Sequence, residues 1–214
     1  AALRAGARIE FGVTATAAGV LALKPDEVVL ACGSTLLAPP WLPQDWRESG
    51  LVPDLRAAMQ TLLRHTARER GTAVIYDMDH TEGTYAAAER LHALFERVVI
   101  ATPRESIAQD VALVTRQGIL RRLFEKRITL ITHVEPRVSP RFEDGVLECV
   151  NVYNGDVTEI ANVNFLAYAT PRAPNNTLAA PLRAAGVNVR LIGDCAVARS
   201  EEHTSELQSL RHLV

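Results

Sequence analysis

The chain has 214 residues, 48% of them hydrophobic and 22% charged, and its 23 Lys and Arg against 25 Asp and Glu give a net charge of −2. This composition is typical of a globular protein and excludes disordered, collagenous and coiled-coil chains, while the near-neutral charge provides no footprint for nucleic acid or an anionic membrane. No apolar run reaches the roughly 20 residues of a membrane-spanning helix. The scattered cysteines Cys32, Cys149 and Cys195 predict neither a disulfide framework nor a zinc site, and they fit a reducing cytoplasm.

The first fifty residues alternate between strand and helix patterns. A short strand is predicted at residues 8–12, a small helix at 17–23, and an apolar strand at 27–34 that runs into a turn of small residues. An apolar strand without alternation predicts burial on both faces of a parallel sheet. The proline-rich segment 38–43 is the best domain boundary, and Trp41 and Trp46 are predicted to pin this junction.

The rest of the chain predicts a second strand–helix–strand unit. An amphipathic helix capped by Asp54 is predicted at 54–70, and Leu55, Met59, Leu62 and Leu63 form its apolar stripe. Turn residues near 143–145 and 154–156 predict a β-meander between 135 and 159. Strands are also predicted at 73–77, 97–102, 128–131, 162–169 and 187–192, and helices at 83–95, 107–124 and 175–185. This order favours an α/β fold with a doubly wound parallel sheet.

Two small-residue turns follow predicted strands, Cys32-Gly33-Ser34 and Gly193-Asp194. Each alone is an ordinary turn. Their order around the proline linker, the βαβ unit and the meander resembles the flavoprotein oxidoreductases that carry two dinucleotide-binding domains. The resemblance implies truncated Rossmann domains of the FAD/NAD(P) type. Residues 1–42 plus 187–198 would be a partial FAD- or ADP-binding domain, and 43–186 an inserted NAD(P)-binding-like domain. Cys32, Gly33, Ser34, Gly193 and Asp194 would bind the cofactor, with Asp194 accepting a hydroxyl, and no residue is assigned a catalytic or metal-binding role.

Residues 74–80 look most like the trimethylamine dehydrogenase branch, which includes the 2,4-dienoyl-CoA reductases and is related to old yellow enzyme. This resemblance implies that the chain is a fragment of an oxidoreductase whose barrel with FMN, iron–sulfur cluster and first glycine-rich loop lie upstream. It further implies a dinucleotide cofactor, an electron-transfer flavoprotein as a redox partner, a homo-oligomeric parent and no turnover by the fragment alone. Cys32 departs from the threonine usual in the family, but the turn depends mainly on Gly33.

The βαβ unit lacks the G-x-G-x-x-G pattern of nucleotide-binding loops and carries Asp77, Asp79 and Glu82 instead. Three carboxylates would repel a pyrophosphate at the start of a helix, so we do not expect standard NAD(P)H binding. Arg104 stands where a 2′-phosphate would need a cation, but without the glycine loop we expect a solvated side chain. For His80 we favour an ion pair or a turn-stabilising bond over a redox role.

Two other functions fit parts of the pattern. Asp77 and Asp79 also match the D-x-D-x-T motif of haloacid-dehalogenase-like Mg²⁺-dependent phosphatases, with Asp77 as nucleophile, Asp79 as acid/base and Lys126 available as the lysine. The four residues that follow Asp194, at 195–198, include no second carboxylate, which argues against the phosphatase interpretation. The other alternative is a non-catalytic domain in which bound nucleotide serves only as a structural element.

The C-terminal segment reads unlike the rest of the chain. Residues 199–209 resemble a translated sequencing adapter, so residues 199–214 are expected to be a non-native tail without function.

Overall fold

The computed structural model describes residues 3–197, which divide into a first unit of residues 3–35 and 174–197 and a second unit of residues 36–173. The helices are α1 (Ala17–Ala22), α2 (Gln44–Ser49), α3 (Leu55–Leu62), α4 (Glu82–Leu94), α5 (Leu113–Glu125) and α6 (Ala179–Ala184). The strands are β1 (Glu27–Leu30), β2 (Ser34–Leu36), β3 (Glu69–Asp77), β4 (Phe95–Ala101), β5 (Thr129–Ile131), β6 (Val134–Arg137), β7 (Leu147–Asn151), β8 (Val157–Ile160), β9 (Val163–Ala169), β10 (Arg172–Pro174) and β11 (Asn188–Leu191). The predicted tail at 199–214 lies outside the described residues.

A four-stranded parallel sheet forms the centre of the second unit, in the order β5-β4-β3-β9. Along β3, Ala73 and Ile75 face one core cluster while Val74 and Tyr76 face another, because successive side chains of a strand point to opposite faces. Both faces are covered, which explains why this strand reads as a continuous apolar run.

Each face of this sheet has its own cover. On one face, Leu55 of α3, Leu91 of α4 and Leu123 of α5 pack against the strands. On the other, an antiparallel meander in the order β6-β7-β8 contributes Val134, Leu147 and other side chains. Helices, a parallel sheet and a meander therefore form three layers. The predicted α/β class with a parallel sheet and a β-meander is confirmed, and the meander takes the place of helices on the second face.

A smaller core holds the first unit together. Strands β1 and β11 pair in parallel, with Val28 opposite Val189 and Leu30 opposite Leu191. Its buried apolar residues are Leu30, Ala179, Leu182, Val189 and Cys195. The prediction that β1 is buried on both faces is wrong for this unit, because Val29 is 52% exposed and only Leu30 of that strand is buried.

Several predicted elements are shorter than the sequence pattern indicated. No strand forms at residues 8–12, where Phe11 is 86% exposed and no other strand pairs with the segment. Helix α3 ends at Leu62 rather than at 70, because Glu69 already pairs with Phe95 in the sheet. Helix α5 begins only at Leu113, because residues 107–111 run as an irregular loop whose apolar side chains pack in the core.

The unit boundaries also differ from those predicted at 42/43 and 186/187. The structure divides at 35/36 and 173/174. Leu42 is buried in the second unit, and helix α6 packs in the core of the first through Leu182. Trp41 lies edge-on to Tyr76 with ring centroids 5.4 Å apart, and Trp46 packs against Phe142 at 4.9 Å. Both tryptophans therefore stabilise the interior of the second unit rather than a junction.

None of the helices between residues 3 and 197 combines the length and apolar character that crossing a bilayer requires.

Candidate functional site

In the first unit, the two predicted turns meet at one edge of a sheet. Because β1 and β11 run parallel, their carboxyl ends at Leu30 and Leu191 lie side by side. The backbone N–H of Ile192 donates to the carbonyl of Leu30 at 3.0 Å, which ties the chain beyond β11 to the end of β1. Loops at the carboxyl ends of parallel strands are where α/β folds commonly bind ligands. We call this region, residues 32–34 with 193–194, the strand-end site.

A hydrogen bond joins the two halves of the strand-end site. The Ser34 hydroxyl donates to Oδ2 of Asp194 at 3.1 Å, although the residues are 160 positions apart in sequence. Gly33 and Gly193 both have left-handed backbones, with φ of +71° and +60°, a conformation that residues other than glycine rarely adopt. A Cβ on either glycine would meet no atom within 4 Å, so their backbones face open space. The site combines a hydroxyl, a carboxylate and accessible peptide groups.

The cysteines near the strand-end site have unequal environments. Cys32 is exposed, whereas Cys195 is buried and its thiol donates to the carbonyl of Asn175 at 3.1 Å. The Asn175 N–H in turn donates to the carbonyl of Gly33 at 2.9 Å. Asn175 and Cys195 thus brace the turn of Gly33, a role that sequence reasoning missed. The proximity of Cys195 to Asp194 in sequence was the only available signal.

The second unit contains a cavity of about 390 Å³ at the start of α4. We call it the α4 pocket. Its apolar wall includes Leu55, Met59 and Val111, and its volume falls in the range of small-molecule sites. The charged residues that line it are Arg56, Asp79, Glu82, Asp110 and Arg172.

Asp77, Asp79 and Glu82 were predicted to present their carboxylates together in the turn before α4. Asp79 and Glu82 line the α4 pocket, but Asp77 does not. Its side chain is fully buried; Oδ1 accepts the backbone N–H of His80 at 3.0 Å, and Oδ2 accepts the hydroxyl of Tyr85 at 2.8 Å. Burial raises the pKa of Asp77, and the nearby His80 opposes this shift. Tyr85 also accepts the N–H of Ala108, so the carboxyl belongs to an internal network that joins β3, α4 and the following loop.

This geometry removes the basis of the phosphatase interpretation. A nucleophilic Asp77 would need contact with a phosphate ester, but both its oxygens are bonded inside the protein and none of its surface is exposed. Lys126 directly follows α5 as its C-cap residue, and its Nζ lies 3.6 Å from Oε2 of Glu89. Within residues 3–197, no group of three or more His, Cys, Asp or Glu side chains is arranged to hold a metal ion.

His80 occupies the turn between β3 and α4 with a left-handed backbone of φ +54°. Its side chain is buried, and Nε2 lies 3.5 Å from the hydroxyl of Thr102. Burial lowers the pKa of His80, which keeps the imidazole neutral, although Asp77 attracts the protonated form. The bond that stabilises the turn comes from the His80 backbone. Arg104 is half-buried rather than fully solvated, with Nη1 3.4 Å from Oε1 of Gln109.

Asp79 faces the α4 pocket and pairs with an arginine that sequence reasoning did not assign to it. Nη2 of Arg172 lies 3.2 Å from Oδ2 of Asp79, and the side chains are only 17% and 12% exposed. The hydroxyl of Thr81 donates to the same oxygen at 2.6 Å. The sequence gives one indication of this pairing, namely that Arg172 lies just beyond β9. Strand β9 neighbours β3 in the sheet, and both strands end at the same edge.

Comparisons with known proteins bear on the fold. No protein-family model matches the chain, and no curated protein matches it. Among solved structures, histamine dehydrogenase from Rhizobium sp. 4-9 is similar, with a TM-score of 0.69 and 22% identity over 86% of this chain and 30% of that one. A 2-naphthoyl-CoA reductase has a TM-score of 0.73 and 18% identity over 92% of this chain and 28% of its own. Thioredoxin reductase from T. acidophilum has a TM-score of 0.57 and 12% identity, covering 79% and 57% of the two chains.

These likenesses, all at low sequence identity, concern the fold. The chain spans about 30% of the length of the histamine dehydrogenase and of the naphthoyl-CoA reductase. The similar structures carry the names of a dehydrogenase and of reductases, and what this chain shares with them is the overall α/β fold.

Proposed function

We propose that this chain is the dinucleotide-binding part of a flavoprotein oxidoreductase that resembles the trimethylamine dehydrogenase and 2,4-dienoyl-CoA reductase branch. The observation that carries the proposal is the strand-end site, where Ser34 and Asp194 meet at 3.1 Å beside two left-handed glycines. The chain's similarity to about 30% of a histamine dehydrogenase and of a CoA reductase supports a fragment of a larger redox enzyme.

The first unit would bind FAD or ADP. A parallel strand pair that ends in a glycine turn lets a nucleotide approach the peptide backbone closely. In this assignment Gly33, Gly193 and the exposed Cys32 shape the contact surface, while Ser34 orients the Asp194 carboxylate toward a ribose or ribityl hydroxyl. The bond from Asn175 to Gly33 holds the turn in place before the nucleotide arrives.

The second unit would be the NAD(P)-like domain of the parent enzyme. Its βαβ order, β3-α4-β4, is that of a nucleotide-binding half. By the resemblance, FMN and an iron–sulfur cluster would belong to the part of the parent outside this chain, and an electron-transfer flavoprotein would receive its electrons. The fragment alone would then have no turnover.

Calorimetric titration of the chain with ADP, and separately with FAD, tests the proposal. The Asp194→Asn variant should bind either ligand at least about tenfold more weakly, since a hydrogen bond to a charged group contributes about 1.5–3 kcal/mol. Asp26→Asn is the matched control, because Asp26 is exposed in the same unit and immediately precedes β1, at the opposite end of that strand.

Equal affinities of wild type and Asp194→Asn, or no saturable binding of either nucleotide, would contradict the assignment. Comparable affinities for ADP and FAD would indicate that the ADP moiety supplies the recognition, whereas a preference for FAD would indicate contacts with the flavin part.

A further inference from the structure

The strand order of the second unit places Asp79 and Arg172 side by side. Strands β3 and β9 are neighbours, with Asp77 opposite Ala169. The N–H groups of Met78 and Asp79 donate to the carbonyl of Ala169 at 2.6 and 3.0 Å, so the turn after β3 is fixed to the end of β9. Arg172, three residues further along, can then reach the carboxylate of Asp79.

The Asp79 carboxylate also captures the hydroxyl that would ordinarily cap α4. Thr81 precedes this 13-residue helix, but its side chain makes no cap bond and donates to Asp79 at 2.6 Å instead. Arg172 donates to the same oxygen at 3.2 Å. A negative charge is thus already held at the helix N-terminus, where the helix dipole favours an anion.

The surroundings of Asp79 are otherwise those of a phosphate site. The α4 pocket offers the guanidinium of Arg172, the Thr81 hydroxyl and the start of a helix. A Cβ on Gly83 would meet only the Thr81 hydroxyl, at 3.9 Å, so a ligand has space to approach that backbone. Arginine and helix N-termini recognise phosphate oxygens through the same donors that Asp79 engages here.

We propose that Asp79 is a built-in substitute for a phosphate: its carboxylate occupies Arg172 and thereby excludes diphosphate-bearing ligands from the α4 pocket. The inference rests on the proposed function, since it names the residue that sets the ligand specificity of the NAD(P)-like unit. Glu82 and Asp110 add negative charge to the lining of the pocket and Arg56 adds positive charge, while Asp79 contacts the guanidinium of Arg172 directly.

Titration with inorganic pyrophosphate at fixed ionic strength tests the exclusion. We would use the chain carrying Asp194→Asn as the parent, so that binding at the strand-end site is weakened and is the same in every variant compared. Adding Asp79→Ser should increase the affinity for pyrophosphate at least tenfold over this parent. Glu82→Gln, which removes another carboxylate that lines the same pocket and leaves the bond from Arg172 to Asp79 in place, should increase it less than threefold. Adding Arg172→Gln to the Asp79→Ser chain should return the affinity to that of the parent.

Thermal unfolding provides the second readout. Asp79→Ser should lower the melting temperature by several degrees, because Arg172 loses its carboxylate, and pyrophosphate should restore it by binding the folded state. Asp79→Asn, nearly identical in shape, replaces the serine variant if that chain does not fold.

Unchanged pyrophosphate affinity in the Asp79 variants would overturn the inference, as would a gain that survives Arg172→Gln. A gain of equal size in Glu82→Gln would assign the exclusion to bulk charge instead of Asp79. These results are independent of ADP binding at the strand-end site, so failure of the proposed function and failure of this inference can be told apart.

Discussion

At the scale of single residues, the buried pair of Asp77 and His80 makes stability depend on pH in two opposing ways. Burial raises the pKa of Asp77, so its stabilising contribution is present at low pH and is lost as the pH rises through the folded-state pKa. Burial lowers the pKa of His80, so as the pH falls below about 6.5 the unfolded chain takes up a proton that the folded chain does not. His80 therefore destabilises the fold on the acid side of neutrality.

Replacing His80 by asparagine should reduce this acid-side loss. Asparagine tolerates the left-handed backbone at φ +54° better than other residues with a side chain. The free energy of unfolding, measured by urea titration from pH 7 to pH 5, should fall less steeply in His80→Asn than in wild type. The difference in slope is at most about 1.4 kcal/mol per pH unit. His92→Asn, in the last turn of α4, is the matched control for the same change at a less buried position. Identical slopes for His80→Asn and wild type would refute the explanation.

At the scale of elements, Gly71 allows β3 to pass close to the segment before β9. Its φ is +93°, and a Cβ there would lie 2.7 Å from the carbonyl oxygen of Asn162 and 2.1 Å from Oδ1 of Asn164. The pairing of β3 with β9 shifts register next to this point, between Thr72 and Ala73. The glycine is thus needed both for its backbone conformation and for the close approach.

Gly71→Ala should therefore cost more than the strain of a left-handed alanine alone. We expect a loss of at least about 2 kcal/mol in the free energy of unfolding, since backbone atoms of Asn162 would have to move. Gly155→Ala separates the two effects, because Gly155 has φ +78° but open space around its Cβ position, and it should lose only about 1 kcal/mol. Equal losses in the two variants would mean that the close approach contributes nothing.

The elements also show which parts of the structure were predictable. The strand predicted at 73–77 is present, and its apolar residues continue without alternation because the sheet buries both of its faces in a core. The start of α5 could not be predicted from the sequence, because Ile107 and Val111 have helical spacing. In the structure both side chains pack in the core from an irregular loop. Periodicity reports burial, and burial alone does not identify the backbone conformation.

The two candidate sites also differ in how far the sequence predicted them. Small-residue turns at strand ends indicated Gly33 and Asp194, and their bridging by Ser34 is local to that sheet edge. The pair of Asp79 and Arg172 joins residues 93 positions apart, and it depends on β9 lying next to β3. Strand order is a property of the whole sheet, so single motifs did not predict this contact.

At the scale of the whole molecule, the two units differ in how much apolar side chain each one buries. The second unit has two extensive core clusters on the faces of a four-stranded sheet. In the described residues, the first unit has five buried apolar residues and a two-stranded sheet, which is marginal for independent stability. We therefore expect local opening to be easier in the first unit.

Native-state hydrogen exchange followed by mass spectrometry checks this difference. Peptides containing β1 or β11 should exchange at least tenfold faster than those containing β3, β4 or β9, and the ranking should persist when the pH is varied within the range where exchange reports opening equilibria. Similar protection of β1 and β3 would show that the first unit opens only together with the second.

The two ends of the second unit lie next to each other, which affects how this unit can be exchanged during evolution. The N–H of Leu37 donates to the carbonyl of Pro171 at 3.0 Å, and the Thr170 hydroxyl donates to the carbonyl of Leu37, so entry and exit of this unit are adjacent. A domain whose two ends are adjacent can be replaced by another domain as a whole. The flanking chain then has to span only the same short distance, whatever the size of the inserted domain. The second unit could thus acquire or lose a ligand by exchange of the whole module, with the strand-end site preserved.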